Sequence, residues 1–268
     1  MADFENAHMR GSTFRSVDLT GADLHRVHLK DSRWRAVDFS GADFRAVGLH
    51  NVRMRGIELA NADIYGELLN VVINGVDVVP LIEAELNRRD PDRAKLKPTD
   101  VVGFREAWDV IERRWQQTNE RAARLRPELL HESVDGEWSF TQTLRHLVFA
   151  TESWVHRAVV GDPAPWDPLS LPWDEMPDMP GVPRDRDARP PLDVVLALRR
   201  DRMATVRRVI DDLTETTLAA DSVPVDAPGW PPPRSYPVRE CLLIVLSEEW
   251  EHRLYAERDL AVLEARRP

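Results

Sequence analysis

The sequence predicts an α+β multidomain chain: an N-terminal coil that turns a corner every five residues, then a bundle of four helices. The first observation behind this is a run of thirteen five-residue units in phase from Ala2 to Gly66. Their centres are Phe4, Met9, Phe14, Leu19, Leu24, Leu29, Trp34, Phe39, Phe44, Leu49, Met54, Leu59 and Ile64, each with a small or β-branched residue two places earlier. A period of five fits neither the 3.6 of a helix nor the 2.0 of a strand, so the backbone must bend once per unit. The second observation is a change to helical apolar spacing from about residue 100 onward. The third is the length of 268 residues, which leaves room for two domains. The expected division is a repeat domain at 1–66, a cap and linker at 67–98, and a helical domain at 99–268 with an insertion at 161–190.

Those thirteen units resemble the pentapeptide-repeat family. The resemblance implies a right-handed quadrilateral β-solenoid with four units per coil, the central and the small residue of each unit both pointing inward. Some members of that family imitate duplex DNA with an acidic surface. Here thirteen units make just over three coils, a stack of only ~15 Å at about 4.8 Å per coil. Residues 1–66 also carry nine acidic side chains, Asp3 and Glu5 among them, against nine basic ones, so the single sign of charge that mimicry needs is missing. The repeat is therefore read as a platform that contributes no metal ligand, with His8, His25, His28 and His50 facing outward.

The formal net charge of −10 lies entirely after residue 66. That balance argues against nucleic acid and anionic membrane as partners. A single cysteine, Cys241, excludes an intramolecular disulfide and suits a reducing cytoplasm. No secretory-type leader and no apolar run long enough to span a bilayer is seen, so a cytoplasmic chain is expected.

Residues 67–86 read as an apolar, β-branched stretch broken by the turn signal Asn74-Gly75 and then by Pro80. Val101 to Leu125 is a long amphipathic helix carrying Phe104, Trp108, Ile111 and Trp115, and it ends before Pro127. Ser139 with Gln142 is a capping box that opens a second helix from Phe140 to about Val160. Its core stripe is Leu144, Leu147, Val148, Thr151, Val155 and Ala158. Pro191 suits the first turn of a third helix to about Leu213, and Pro237 that of a fourth to about Ala265. Four such helices predict a four-helix bundle. The proline-rich insertion, with Trp166 and Trp173, is expected to pack on the bundle as an ordered flap.

Two of the four remaining histidines point to chemistry. Glu248 and His252 lie four apart on the fourth helix, so they project from one face about 6 Å apart, a chelating distance. His146 sits at a comparable depth on the second helix, and facing helices of a bundle can bring three such side chains together. Glu/His pairs four apart are also ordinary decoration on a charged helix, so spacing alone does not assign a metal site. His156, ten residues from His146, lies some 80° around the helix and is not expected to join them.

Trp138-Ser139-Phe140, Thr143-Leu144-Arg145-His146-Leu147, Glu248-Glu249-Trp250-Glu251-His252 and Arg258-Asp259-Leu260 together resemble the DinB-like superfamily of four-helix metalloproteins over about residues 100–265. Many members use three histidines, with a His-x-x-x-His pair on the last helix. Glu248 at the first position of that pair resembles instead the branch of mycothiol-dependent maleylpyruvate isomerases, which implies His146, Glu248 and His252 as metal ligands with an open coordination position. Three protein ligands plus an exchangeable one is the catalytic arrangement of zinc. Nickel, iron or manganese also accept such a donor set. Glu249 and Glu251 point elsewhere on the helix.

Tyr255 either donates a hydrogen bond to substrate or caps the core. Cys241, about 10 Å along the axis from Glu248, is read as a buried small residue, with pocket lining as the alternative. The expected function is a metal-dependent transferase or isomerase that uses a low-molecular-weight thiol, mycothiol in the family branch, on a small electrophile. The alternatives are a non-catalytic interaction or sensing protein with the repeat as its binding wall, and a metal-dependent hydrolase with Glu251 or Asp259 as base. Partners are thus a small-molecule thiol and an electrophile, with neither nucleic acid nor membrane, and a homodimer is compatible.

Overall fold

The computed structural model describes residues 4, 7–24, 27–44 and 47–266, so Ala2, Asp3, Glu5 and His25 lie outside the described residues. The chain divides into two compact units, Met1–Tyr65 and Gly66–Pro268.

In the first unit the backbone keeps the five-residue period. A positive φ recurs two residues after the described centres, at Gly11, Ser16, Gly21, Asp31, Ala36, Gly41, Asn51, Gly56 and Asn61. The amides of Ser12, Ala22, Ser32 and Ala42 donate to the carbonyls of Met9, Leu19, Leu29 and Phe39 at 2.9–3.2 Å. A hydrogen bond from the fourth residue to the first, with positive φ at the third, is a type II turn. Successive centres touch at Trp34, Phe39 and Phe44, whose ring centroids are 5.4 and 5.5 Å apart along the series.

The inward-facing expectation for these centres is corrected. From Met9, 41% exposed, to Phe4 and Ile64, both 69% exposed, they remain open to solvent, and the described residues before Val72 form no strand. The physical reason lies in range: a turn satisfies its hydrogen bond within four residues, whereas a packed coil interior needs coils stacked over twenty residues of sequence. His8, His28 and His50 are exposed, as expected.

The second unit opens with a hairpin, β1 (Val72–Ile73) and β2 (Val76–Asp77), in antiparallel register Val72↔Asp77 and Ile73↔Val76. Asn74 and Gly75 have φ of 50° and 83°, the pair of positive angles that a two-residue type I′ turn requires. Helix α1 (Val79–Arg89) follows, with Pro80 in its first turn, so that Pro80 starts an element rather than breaking one. Residues 67–98, expected as cap and linker, group with this second unit.

Helix α2 (Val101–Ala122) is capped by Asp100, whose side chain accepts from the Gly103 amide at 2.7 Å. It stops three residues short of Leu125 because the last amides tighten: Arg124 and Leu125 donate to Arg121 and Ala122, three residues back. Helix α3 (Phe140–Thr151) carries the expected capping box of Ser139 and Gln142. The predicted single helix to Val160 changes pitch, however, becoming a π-helix over Glu152–Arg157. Ala158 and Val160 donate five residues back, to Ser153 and Val155. Helix α4 (Leu192–Asp211) and helix α6 (Val238–Ala265) have Pro191 and Pro237 at the N-cap rather than inside the first turn. Between them lies a four-residue helix α5 (Glu215–Leu218) that the apolar pattern does not signal.

Helices α2, α3, α4 and α6 pack around one core, where Phe104, Trp108, Ile111 and Trp115 are at most 1% exposed and the whole expected stripe of α3 is buried. Residues 161–190 lie on this bundle. Leu171 and Met176 are buried, and Trp166 packs so closely on Gly229 that a Cβ there would sit 2.0 Å from its ring.

Candidate metal centre

Helix α3 presents His146 from within its buried stripe, and α6 presents Glu248 and His252 one turn apart. The packing of α3 on α6 brings one ligand atom from each within 4.8 Å of the others. Glu248 Oε2 lies 3.4 Å from His146 Nε2 and 3.3 Å from His252 Nδ1. That oxygen is buried and accepts no hydrogen bond of sound geometry. A buried carboxylate oxygen without a partner is costly unless a cation completes it.

The imidazoles are oriented by backbone carbonyls. His146 Nδ1–H donates to Leu171 O at 3.0 Å, and His252 Nδ1–H donates to Glu248 O at 3.0 Å. With Nδ1 protonated, Nε2 of His146, the nitrogen that faces Glu248 Oε2, keeps its lone pair for a ligand, whereas the His252 nitrogen nearest that oxygen is Nδ1 itself. Burial, and then the neighbouring His146, push His252 down to about 4, so it is neutral and able to ligate at pH 7. Burial acts to raise Glu248, but His146 and His252 beside it overcome that and hold the carboxyl below its usual range. Two imidazole nitrogens and one carboxylate oxygen form a donor set that suits a divalent transition metal.

Aromatic rings enclose the cluster. Trp138 stands 4.5 Å from His146 and stacks 6.1 Å from His252, with its Nε1–H on Asp174 at 3.3 Å. Phe149 is 6.2 Å from His146 and 6.2 Å from Trp173, which in turn meets Trp230 at 5.0 Å. Tyr255 lies edge-on, 5.9 Å from His252, half-buried beneath the Arg258 guanidinium. Burial, followed by the charges of Glu251, Glu137 and Glu248, pushes its phenol up, so it keeps its proton and remains a donor.

The remaining sequence candidates sit elsewhere. Glu249 is fully buried and holds Arg199 through two bonds of 2.7 Å, away from the cluster. The charged neighbours of Glu251 are Arg93, Glu67, Glu83 and Lys97. Asp259 is bonded by Arg258 at 2.8 Å. Neither of these two acids belongs to the cluster. Cys241 is buried against Ala158 and Tyr236, and burial pushes its thiol up to about 11, as befits an inert core residue. His156 is outside the group of candidate ligands.

Sequence reasoning missed the carbonyl of Leu171, the ring of Trp138 over both histidines, and Arg145. The last had a signal: it is the one Asp, Glu, Lys or Arg residue between Phe140 and Thr151. A buried cation that finds no acid on its own helix must be held by something else.

The family model for the DinB superfamily matches residues 111–256, more than half of the chain and all three cluster residues. The model for pentapeptide repeats matches in eight copies over residues 2–33 and 22–61. No curated protein and no solved structure matches the chain.

Proposed function

The chain belongs to the DinB superfamily, and on that basis we propose that it is a metal-dependent transferase or isomerase acting with a low-molecular-weight thiol, of the mycothiol kind, on a small electrophile. The observation that carries this reading is the convergence of His146, Glu248 and His252, with a buried carboxylate oxygen between the two imidazoles that accepts no well-formed hydrogen bond. These three side chains would hold a divalent cation, zinc first, with nickel, iron or manganese also compatible. A cation so held supplies Lewis acidity, keeping a thiol or water beside it deprotonated near neutral pH.

The chain's own residues do the rest. The carbonyl of Leu171 keeps His146 in the tautomer whose free Nε2 faces Glu248, and the carbonyl of Glu248 orients the ring of His252. Trp138 and Phe149 shield His146 from solvent, which strengthens charge interactions on that side of the cluster. Tyr255, kept protonated, donates a hydrogen bond to the electrophile's oxygen as negative charge gathers there. This arrangement supports thiol chemistry over hydrolysis because neither Glu251 nor Asp259 stands in the cluster as a general base.

The repeats are read as a right-handed quadrilateral β-solenoid serving as a platform, supported by their type II corners. The single buried cysteine is in keeping with a reducing cytoplasm, and no described helix is long and apolar enough to cross a membrane. Metal analysis of the purified chain should find a stoichiometric divalent ion, and thermal shift against a panel of cellular thiols should find one that stabilises the loaded protein. A chain that takes up no metal, or that retains it after His146→Ala and His252→Ala together, would overturn the reading.

A further inference from the structure

Arg145 precedes His146 on α3 and is completely buried, yet no carboxylate accepts a hydrogen bond from it. Its guanidinium instead collects main-chain oxygens: Nε–H donates to Leu169 O at 2.7 Å, one Nη to Ala188 O at 3.1 Å, and the other to Asp185 O. Its own carbonyl accepts from the Leu171 amide at 3.2 Å. Leu171 O in turn accepts from His146 Nδ1 at 3.0 Å. Two adjacent residues of one helix thus clamp Leu169–Leu171 from both sides, while the far end of the same insertion is tied at Asp185 and Ala188. Only a planar fork with fixed donor directions serves three such carbonyls; an ammonium group does not.

We propose that Arg145 is a positioning residue for the metal centre. By gathering the insertion it holds Leu171 O on His146 Nδ1, and so directs the Nε2 lone pair toward Glu248. This rests on the metal-site reading of His146, Glu248 and His252. Carbonyl partners of ligating histidines commonly contribute about 10–100-fold in metal affinity.

The bundle offers a matched control. Arg157 is also buried, and it also binds carbonyls of connecting segments, those of Pro163, Val225, Ala227 and Pro231, whereas the carbonyls on the cluster histidines are those of Leu171 and Glu248. Zinc titration of the full chain should therefore show Arg145→Met weakening affinity about 10–100-fold, with Arg145→Lys restoring only part of it. Arg157→Met should lower the melting temperature and leave zinc affinity within twofold. In parallel, nitrogen-15 spectra of the metal-free protein should show His146 protonated at Nδ1 in wild type and as mixed tautomers in Arg145→Lys, a variant that also serves if Arg145→Met does not fold. Equal zinc losses in Arg145→Met and Arg157→Met would overturn the proposal, as would an unchanged His146 tautomer. If wild type binds no zinc, the metal reading fails by itself, and the tautomer measurement still decides the role of Arg145.

Discussion

The repeat and the bundle are organised in opposite ways. The repeat has the more regular sequence and nearly every turn it calls for, yet its large apolar centres stay 41–69% exposed. The bundle has a looser pattern, interrupted by a π-helix, two 3₁₀ turns and an insertion, yet it buries tryptophans completely and closes polar networks inside. Periodicity governs local geometry, whereas burial depends on what distant segments bring.

The largest test of that contrast is truncation of matched aromatics. Trp108→Ala, in the core, should cost about 3–5 kcal/mol in urea unfolding. Phe14→Ala, 64% exposed in the repeat, should change stability by about 0.5 kcal/mol or less. Comparable losses at both positions would mean that the repeat centres are buried in solution and the contrast is wrong.

Next in size is the effect of metal on each unit. At about a hundredfold excess over the dissociation constant, a ligand of the native state adds about 2.7 kcal/mol. That gain should appear in unfolding of the bundle and vanish in the His146→Ala, His252→Ala variant. A probe confined to the repeat should not register it.

Two smaller effects concern pH and have opposite signs. In the metal-free protein His252 has a folded value of about 4 against 6.5 when free, so between these the unfolded chain binds more protons. Its contribution to stability is present at pH 7 and lost as pH falls from about 6.5 toward 4, and His252→Gln should flatten that slope in acid titrations followed by circular dichroism. Burial raises Glu152 to about 7 from 4.5 despite its bonds to Ser170 and Arg202. There the folded state holds the extra proton, so the contribution is full below pH 4.5 and lost as pH rises through 7. Glu152→Gln should remove that decline and leave the His252 slope in place.

How much of the site could be read beforehand differs residue by residue. His146, Glu248 and His252 were legible because a chelating pair on one helix has a fixed spacing, and the superfamily resemblance adds the third ligand. Arg145 was missed although it is the one Asp, Glu, Lys or Arg residue between Phe140 and Thr151, and its partners left no signal, since every residue offers a carbonyl. For the same reason nothing in a leucine at 171 marks it as the acceptor that orients a ligand. The π-helix left no mark either, as neither proline nor glycine stands between Glu152 and Arg157.

By itself the sequence determined the five-residue corners, the turn at Asn74-Gly75, the capping box at Ser139 and the four helices of the bundle, because each depends on contacts within a few residues. Tertiary structure alone decided that Glu248 Oε2 would be buried between two histidines without a hydrogen bond, that the insertion would close on Arg145, and that the repeat centres would stay exposed. Those outcomes turn on which surfaces far apart in the chain meet and exclude water, and no local pattern encodes that.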